Sequence, residues 1–342
     1  MRNSSFYKNC CILISVLAMI MVGLLDVCVG STNIAFSETI QTLLEWETKG
    51  TKIAVIIWKI RLPMALMAIN IGGALGVSGG CMQTILDNPL ASPYTLGVSA
   101  SAGFGAALAI VTGWLSNTVF YQYNSSLLAV VCAMAVSLLI CFMSKRRNFS
   151  KKSLILSGIA LMFLFQSLQS LLQFISDTDT MQTIVFWNLG SLARADWNKV
   201  SIMVLINTLV VPLVIKESWN LTALKLGDIE AKSIGIDVEK TRVKSFIYIS
   251  ILTAVAVSFA GSIGFIGIAA PHISRSLLGD DQRYYLVFAG VLGAVLLLIS
   301  SILSKVIIPS ILFPIGIVTS IIGVPFFIAA VFRGERTNAG NL

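Results

Sequence analysis

The chain has 342 residues, of which 56% are hydrophobic types and only 12% charged, about half the charge of a soluble domain. Lys and Arg number 24 against 16 Asp and Glu, a net charge of +8. So few charges cannot cover a water-facing surface, which excludes a soluble enzyme, a nucleic-acid-binding protein and a disordered chain, and points to a lipid bilayer.

The charges are also clustered. Asp87 is the single charge between Arg61 and Lys145, and residues 245–274, 284–304 and 306–332 carry none. Apolar stretches longer than about 18 residues read as membrane-spanning helices, because in lipid the backbone must satisfy its own hydrogen bonds. In chain order the expected spans are 10–30, 53–85, 93–113, 125–144, 153–175, 200–216, 243–262, 264–278, 284–304 and 314–332. The eighth is short and is read either as a span or as a re-entrant segment. The expected fold is an all-α polytopic membrane protein of about ten transmembrane helices, one domain over 1–342 with a cytoplasmic loop at 217–242. With the N-terminus inside, 17 of the 24 basic residues fall in cytoplasmic segments, including Lys145, Arg146, Arg147, Lys151 and Lys152. That excess follows the positive-inside rule and places both termini in the cytoplasm.

The first span follows Arg2 and Lys8, and at Cys10–Val29 is too long for a signal-peptide core, so it is expected to stay. The second carries Gly72, Gly76 and Gly80 on one stripe, flanked by Gly73 and Gly79. Small residues at that spacing let helix backbones approach closely. The stripe fits a helix threaded through a tight bundle and equally an ordinary packed pair. The fifth span places Gln166, Gln169, Ser170 and Gln173 on one face. Amides are costly against lipid. That face therefore lines a polar pathway or bonds neighbouring helices.

In the loop 217–242, Leu224, Leu226, Ile229, Ile234 and Ile236 alternate with Lys225, Asp228, Glu230 and Lys232. Asp228 and Glu230 suit a helix N-terminus and Gly235 a helix stop. The pattern predicts a short amphipathic helix that docks another protein, or else a solvated loop on the bilayer. Trp58, Trp114, Trp187 and Trp219 are expected in the interfacial aromatic belts, with core packing as the alternative. The six cysteines form no CxxC pair, His272 is the sole histidine, and no G-x-x-x-x-G-K-[ST] occurs. No metal site, cofactor or nucleotide site is therefore expected. His272, beside Pro271, reads as a cap or hinge. A weak echo relates Val77–Gly80 and Pro89 to Val257–Gly261 and Pro271 across five spans. An odd number of spans would invert the two halves, as in many transporters.

Motifs in order resemble a known family: Arg61-Leu62-Pro63, Ser78-Gly79, Gln83, Asn88-Pro89-Leu90-Ala91, Pro93, Leu96-Gly97; Trp187-Asn188-Leu189-Gly190-Ser191-Leu192; Leu226-Gly227, Ala231, Gly235; Gly261-Ser262-Ile263-Gly264-Phe265-Ile266-Gly267, Pro271-His272, Arg275; and Pro314-Ile315-Gly316, Thr319, Gly323, Pro325-Phe326. The chain resembles the permease subunit of type II ABC importers, the group handling iron chelates, haem and vitamin B12. The resemblance implies two inverted five-helix halves, a second permease copy, separate ABC ATPase subunits below and a substrate-binding protein above, in a bacterial cytoplasmic membrane. It implies that Leu226, Gly227, Asp228, Ala231 and Gly235 couple to the ATPase, and that Thr319 joins Gln166, Gln169 and Gln173 on the pathway. Arg61 and Lys305 match outer-face cations that grip the binding protein, whereas Met64 and Gln282 depart from the family's Arg and His. The run Asn88–Gly97 is most similar to the iron-chelate branch, so a ferric siderophore is the expected cargo, with haem, vitamin B12 and molybdate as the other members' cargoes. An ion-coupled transporter or channel is the competing class; it predicts a buried acid, and the sequence offers only Asp26, Asp177 and Asp179 near the outer boundary, which argues against it.

Overall fold

The computed structural model describes residues 5–30, 32, 34–45, 51–114, 123–145, 150–308 and 312–325. Arg2, Arg146, Arg147, Phe326 and the end of the tenth expected span, 326–332, lie outside the described residues. Among the described residues every regular element is helical. α1 covers Ser5–Cys28, α2 Phe36–Leu44, α3 Lys52–Ile56, α4 Leu62–Leu86, α5 Val98–Thr112, α6 Asn124–Lys145 and α7 Lys151–Ile175. α8 covers Thr178–Asn188, α9 Trp197–Lys216, α10 Ser218–Leu224, α11 Asp228–Ser233, α12 Val238–Ala260, α13 Ile266–Leu278 and α14 Gln282–Val306. α15 is Ile315–Pro325. Among the described residues seven continuous helices are long and apolar enough to cross a membrane, counting α3–α4 as one, and α5 and α15 are shorter apolar helices. With α13, these give the ten segments expected. At 13 residues α13 is about 20 Å long and stops short of a 30 Å hydrocarbon core.

The helix ends obey local chemistry. Ser150, Asp177, Asp196 and Asp237 each accept a backbone N–H three residues on, capping α7, α8, α9 and α12. Asp177 is thus a helix cap. Pro63 has no N–H to give the preceding turn, and residues Ile57–Arg61 widen into a π-helical turn closed by Leu62 N–H to Ile57 O. Asp87 ends α4 in a left-handed conformation, its N–H reaching Gln83 O and Thr84 O. Residues 89–97 form turns, so the third span begins at Val98 instead of residue 93. Gly97 supplies the positive φ there.

α4 sits at the centre and packs most extensively on α14, with α12, α13 and α9 around it. The seam is backbone on backbone. A Cβ at Gly72 would overlap Gly293 O, and one at Gly76 would overlap Ala289 O. A Cβ at Gly80 would meet the Leu286 and Tyr285 side chains at 3.2 Å, a tight contact but one with side chains instead of backbone. The stripe is therefore an intimate seam at Gly72 and Gly76 and a looser one at Gly80.

Three expectations need correction. The amphipathic helix of the 217–242 loop is two short helices, α10 and α11, divided at Gly227 (φ 120°). Trp187 is buried in the core, with Arg194 stacked 5.6 Å from its ring, and is no belt residue. The echo does not extend to local structure: Gly80 lies inside α4, whereas Gly261 terminates α12 with φ 80°. The difference is that Gly261 lets the chain turn at a point where a Cβ would overlap Trp187 O.

Candidate functional site: a central cavity between two charged ends

Three helix breaks meet inside the bundle. Ser191 N–H donates to Ala260 O (2.7 Å), Ile315 N–H to Gly190 O (3.1 Å) and Gly316 N–H to Leu189 O (3.0 Å). Ser99 and Ser262 hydroxyls pair at 2.6 Å. Irregular backbone at this depth is tolerated only when buried in protein or lining a cavity. A cavity of about 530 Å³ lies at this junction, walled by Ser92, Thr95, Asn188, Ser262, Phe265 and Ser320 among others, with no charged lining side chain. Mostly apolar walls dotted with hydroxyls and an amide, and without charge, can guide a large solute without holding it.

None of the four predicted pathway residues lines this cavity. Gln169 is nearly buried, its Oε1 against Gly103 of α5. Gln166 is exposed on α7 and Gln173 half-buried. Thr319 is buried, donates to Gly316 O (3.0 Å), and lines a separate cavity of about 70 Å³. Sequence reasoning missed Ser92, Thr95, Asn188 and Ser262 as lining residues; their signal was the glycine and proline punctuation around them.

The outer-end cations overturn their expected exposure. Arg61 is 4% exposed and threads past Gly30, donating to Val27 O (3.1 Å), Cys28 O (2.7 Å), Thr32 O (2.5 Å) and Thr32 Oγ1 (2.9 Å). It caps the carbonyls that end α1. Lys305 is 8% exposed and donates to Asp26 O and Oδ1, both at 2.8 Å. Neither cation is presented to a docking protein, because each is consumed inside the bundle. Met64 is buried too, so the family's second cation position is an apolar core site here.

At the other end charge stays near the surface. The Lys8 ammonium lies 3.5 Å from Asp281. Asp87 accepts from Lys151 and Lys225, each at 3.1 Å, and the Lys151 hydrogen bond followed by the Lys225 one holds its carboxyl below the usual carboxylate range. Arg242, 2% exposed, forks onto Asp228 at 2.6 and 2.9 Å and donates Nε to Ile85 O (3.2 Å) at the end of α4. Ala231 is fully buried, while Leu226, Ile229 and Ile234 are 66%, 79% and 59% exposed. Gly235 turns the chain after α11 with φ 87°. α10 and α11 therefore form a hook with an apolar outer surface, bolted to the bundle by ion pairs. Gln282 is fully buried at the hook's root: its N–H donates to Thr222 Oγ1 (3.3 Å), Thr84 donates to its Oε1 (3.0 Å), and its Nε2 reaches Asp280 O. Its side-chain amide thus ties α4 to the turn before α14, while its backbone N–H reaches α10.

A bundle of about ten membrane segments, broken helices around an uncharged cavity and an exposed hook at one end define a polytopic membrane permease. The family follows from comparison. A model of the FecCD transport family matches residues 17–333, and the chain belongs to that family. It is 32% identical to the hemin transport system permease protein HmuU of Yersinia pestis, over 95% of this chain and 97% of that one. It is 30% identical to the Fe(3+)-citrate import system permease protein YfmD of Bacillus subtilis (strain 168), over 91% of each chain. A solved structure assigned to the metal-chelate type of ABC transporter, in an inward-facing conformation, matches with TM-score 0.84 and 29% identity, covering 94% of this chain and 98% of that one.

Proposed function

We propose that this permease imports a ferric siderophore through a path formed with a second permease copy, driven by separate ABC ATPase subunits that grip the α10–α11 hook. The observation that carries the ATPase contact is the hook itself. Leu226, Ile229 and Ile234 are exposed beyond the last turns of the bundle, while Asp228–Arg242 ties the same segment to α4. An apolar patch with a polar rim is a protein-docking surface. Asp228, Gly227, Ala231 and Gly235 shape the hook; Leu226, Ile229 and Ile234 touch the partner. The chain carries no nucleotide motif, so ATP is hydrolysed on the partner and this subunit is not itself an enzyme.

The exposed Phe163, Leu171 and Phe174 flank of α7, with Gln166 beside it, faces the second copy across the path. A substrate-binding protein docks on the outer face through the exposed Lys52 and Lys59, since Arg61 and Lys305 are internal. Both termini lie in the cytoplasm of a bacterial cell whose inner membrane holds the complex. A ferric chelate suits a cavity without charged walls, because the metal charge is wrapped by its own ligands. Haem is the second reading, supported by the likeness to the hemin permease over nearly the whole chain.

Uptake of a labelled ferric siderophore and of haem in cells lacking this chain separates the cargoes. Loss of siderophore uptake alone supports the proposal, and loss of haem uptake alone replaces it with haem. For the partner, Ile229→Glu with Leu226→Glu should abolish co-purification of a P-loop ATPase; retention of the ATPase by that variant refutes the hook as its seat.

A further inference from the structure

Phe265 has a backbone conformation that a bulky side chain rarely adopts. Its φ is 65° and ψ −31°, at the junction between the irregular 261–264 segment and α13. A non-glycine residue held there is strained, and such strain persists only where the surroundings over-determine it. The surroundings do so here. Ile268 and Ala269 N–H groups both bond Phe265 O, at 2.9 and 2.8 Å. Two residues on, Gly267 O presses so closely on α4 that a Cβ at Gly79 would overlap it. On the other side the Phe265 side chain lies over Gly323 of α15, where a Cβ would overlap its Cβ and sit 2.6 Å from its Cγ.

The ring also occupies a boundary. Phe265 is a wall of the 530 Å³ cavity and of the 70 Å³ cavity behind it between α13, α14 and α15. Ser320 lines the larger space, while its neighbour Thr319, together with Ser300 of α14, lines the smaller one. Two adjacent residues of one helix thus face two compartments with Phe265 between them. The smaller compartment is bounded otherwise by aliphatic side chains such as Ile273, Leu296 and Ile299.

We propose that Phe265 is a gate residue whose strained aromatic side chain separates the central cavity from the compartment containing Thr319 and Ser300, and opens the two to each other when it swings off Gly323. The proposal rests on the transport reading and adds a moving wall at the edge of its central cavity. Pressure from α4 reaches the gate through the Gly79–Gly267 contact. Glycine at 323 is required because any larger residue would displace the ring.

Thiol accessibility tests the gate without cargo or ATPase, so its outcome is independent of whether the siderophore or the hook assignment holds. Ser320→Cys and Ser300→Cys are made singly in the full chain in lipid nanodiscs and treated with a charged, water-soluble methanethiosulfonate. Peptide mass spectrometry reads each introduced thiol apart from the six native ones. With Phe265 in place, the thiol introduced at position 300 should react about tenfold or more slowly than the one at position 320, since reaction needs an accessible thiolate. Phe265→Gly removes strain and ring together and should bring the two rates to within about threefold of each other. Phe265→Ala, which removes the ring and leaves the backbone as it is, should do the same if the glycine variant folds poorly. The gate is refuted if the thiol of Ser300→Cys stays slow in either folded variant while that of Ser320→Cys remains reactive, or if the two already react at matching rates beside Phe265.

Discussion

The two ends of the bundle use charge in opposite ways. At the end expected to face outward, the outer end, Arg61, Lys305 and Asp26 are turned inward and tie α1 to the π-helical turn and to the end of α14. At the hook end Asp87, Lys151, Lys225 and Asp228 stay partly exposed around one buried cation, Arg242, and apolar side chains face outward. A buried pair is costly to form and more costly to break singly, so the outer end behaves as a fixed joint. Half-exposed pairs are individually weak and can exchange partners, so the hook end can move under load.

The sharpest way to break that contrast is Lys305→Ala, which leaves Asp26, wholly buried, without its cation. Losing one partner of a buried pair costs about 3–5 kcal/mol, and thermal unfolding in detergent should show it. The double change Asp26→Leu with Lys305→Met should recover most of that loss. A single variant as stable as the parent would mean that the outer end is no joint. Next in size is Arg242→Met, which orphans Ile85 O and one carboxylate; about 1–3 kcal/mol is expected, together with weaker coupling of ATP hydrolysis to uptake in the assembled complex. If uptake per ATP is unchanged, Arg242 transmits nothing.

Smaller still in stability is Ile229→Glu on the hook's outer surface, expected within about 0.5 kcal/mol of the parent because the residue is exposed, while ATPase binding is lost. A large drop in melting temperature would show that the hook packs on its own chain. The smallest effect belongs to Asp87. Its folded carboxyl titrates below the unfolded value, so its pairs with Lys151 and Lys225 stabilise above the usual carboxylate range and fade as pH falls through the lowered value. The stability gap between parent and Asp87→Asn should narrow in acid and in high salt; a gap that widens on acidification contradicts the assignment.

Much of this was legible in residue order. Charge-free runs located the spans, and Gly72 and Gly76 at a spacing of four marked the α4–α14 seam, because small side chains on one helix face have few other uses in lipid. The apolar–charged alternation around Leu226, Ile229 and Ile234 marked the hook. Illegible were the partners of single polar residues. Arg61 and Lys305 look the same in sequence whether they face water or Asp26 and the α1 carbonyls, since the deciding contacts lie 29 to 34 and 279 residues away. Gln166, Gln169 and Gln173 share a face by periodicity, yet the proximity of α5 buries Gln169 and leaves Gln166 exposed.

The sequence by itself determined that this chain is a bundle of membrane-spanning helices, because hydropathy and glycine spacing act locally and each helix closes its own hydrogen bonds. Only the tertiary structure decided which cations are buried, where the uncharged cavity lies and that Phe265 stands at its edge. Those outcomes depend on helix ends at Gly190, Gly261 and Pro314 meeting in space, and no local pattern encodes a meeting.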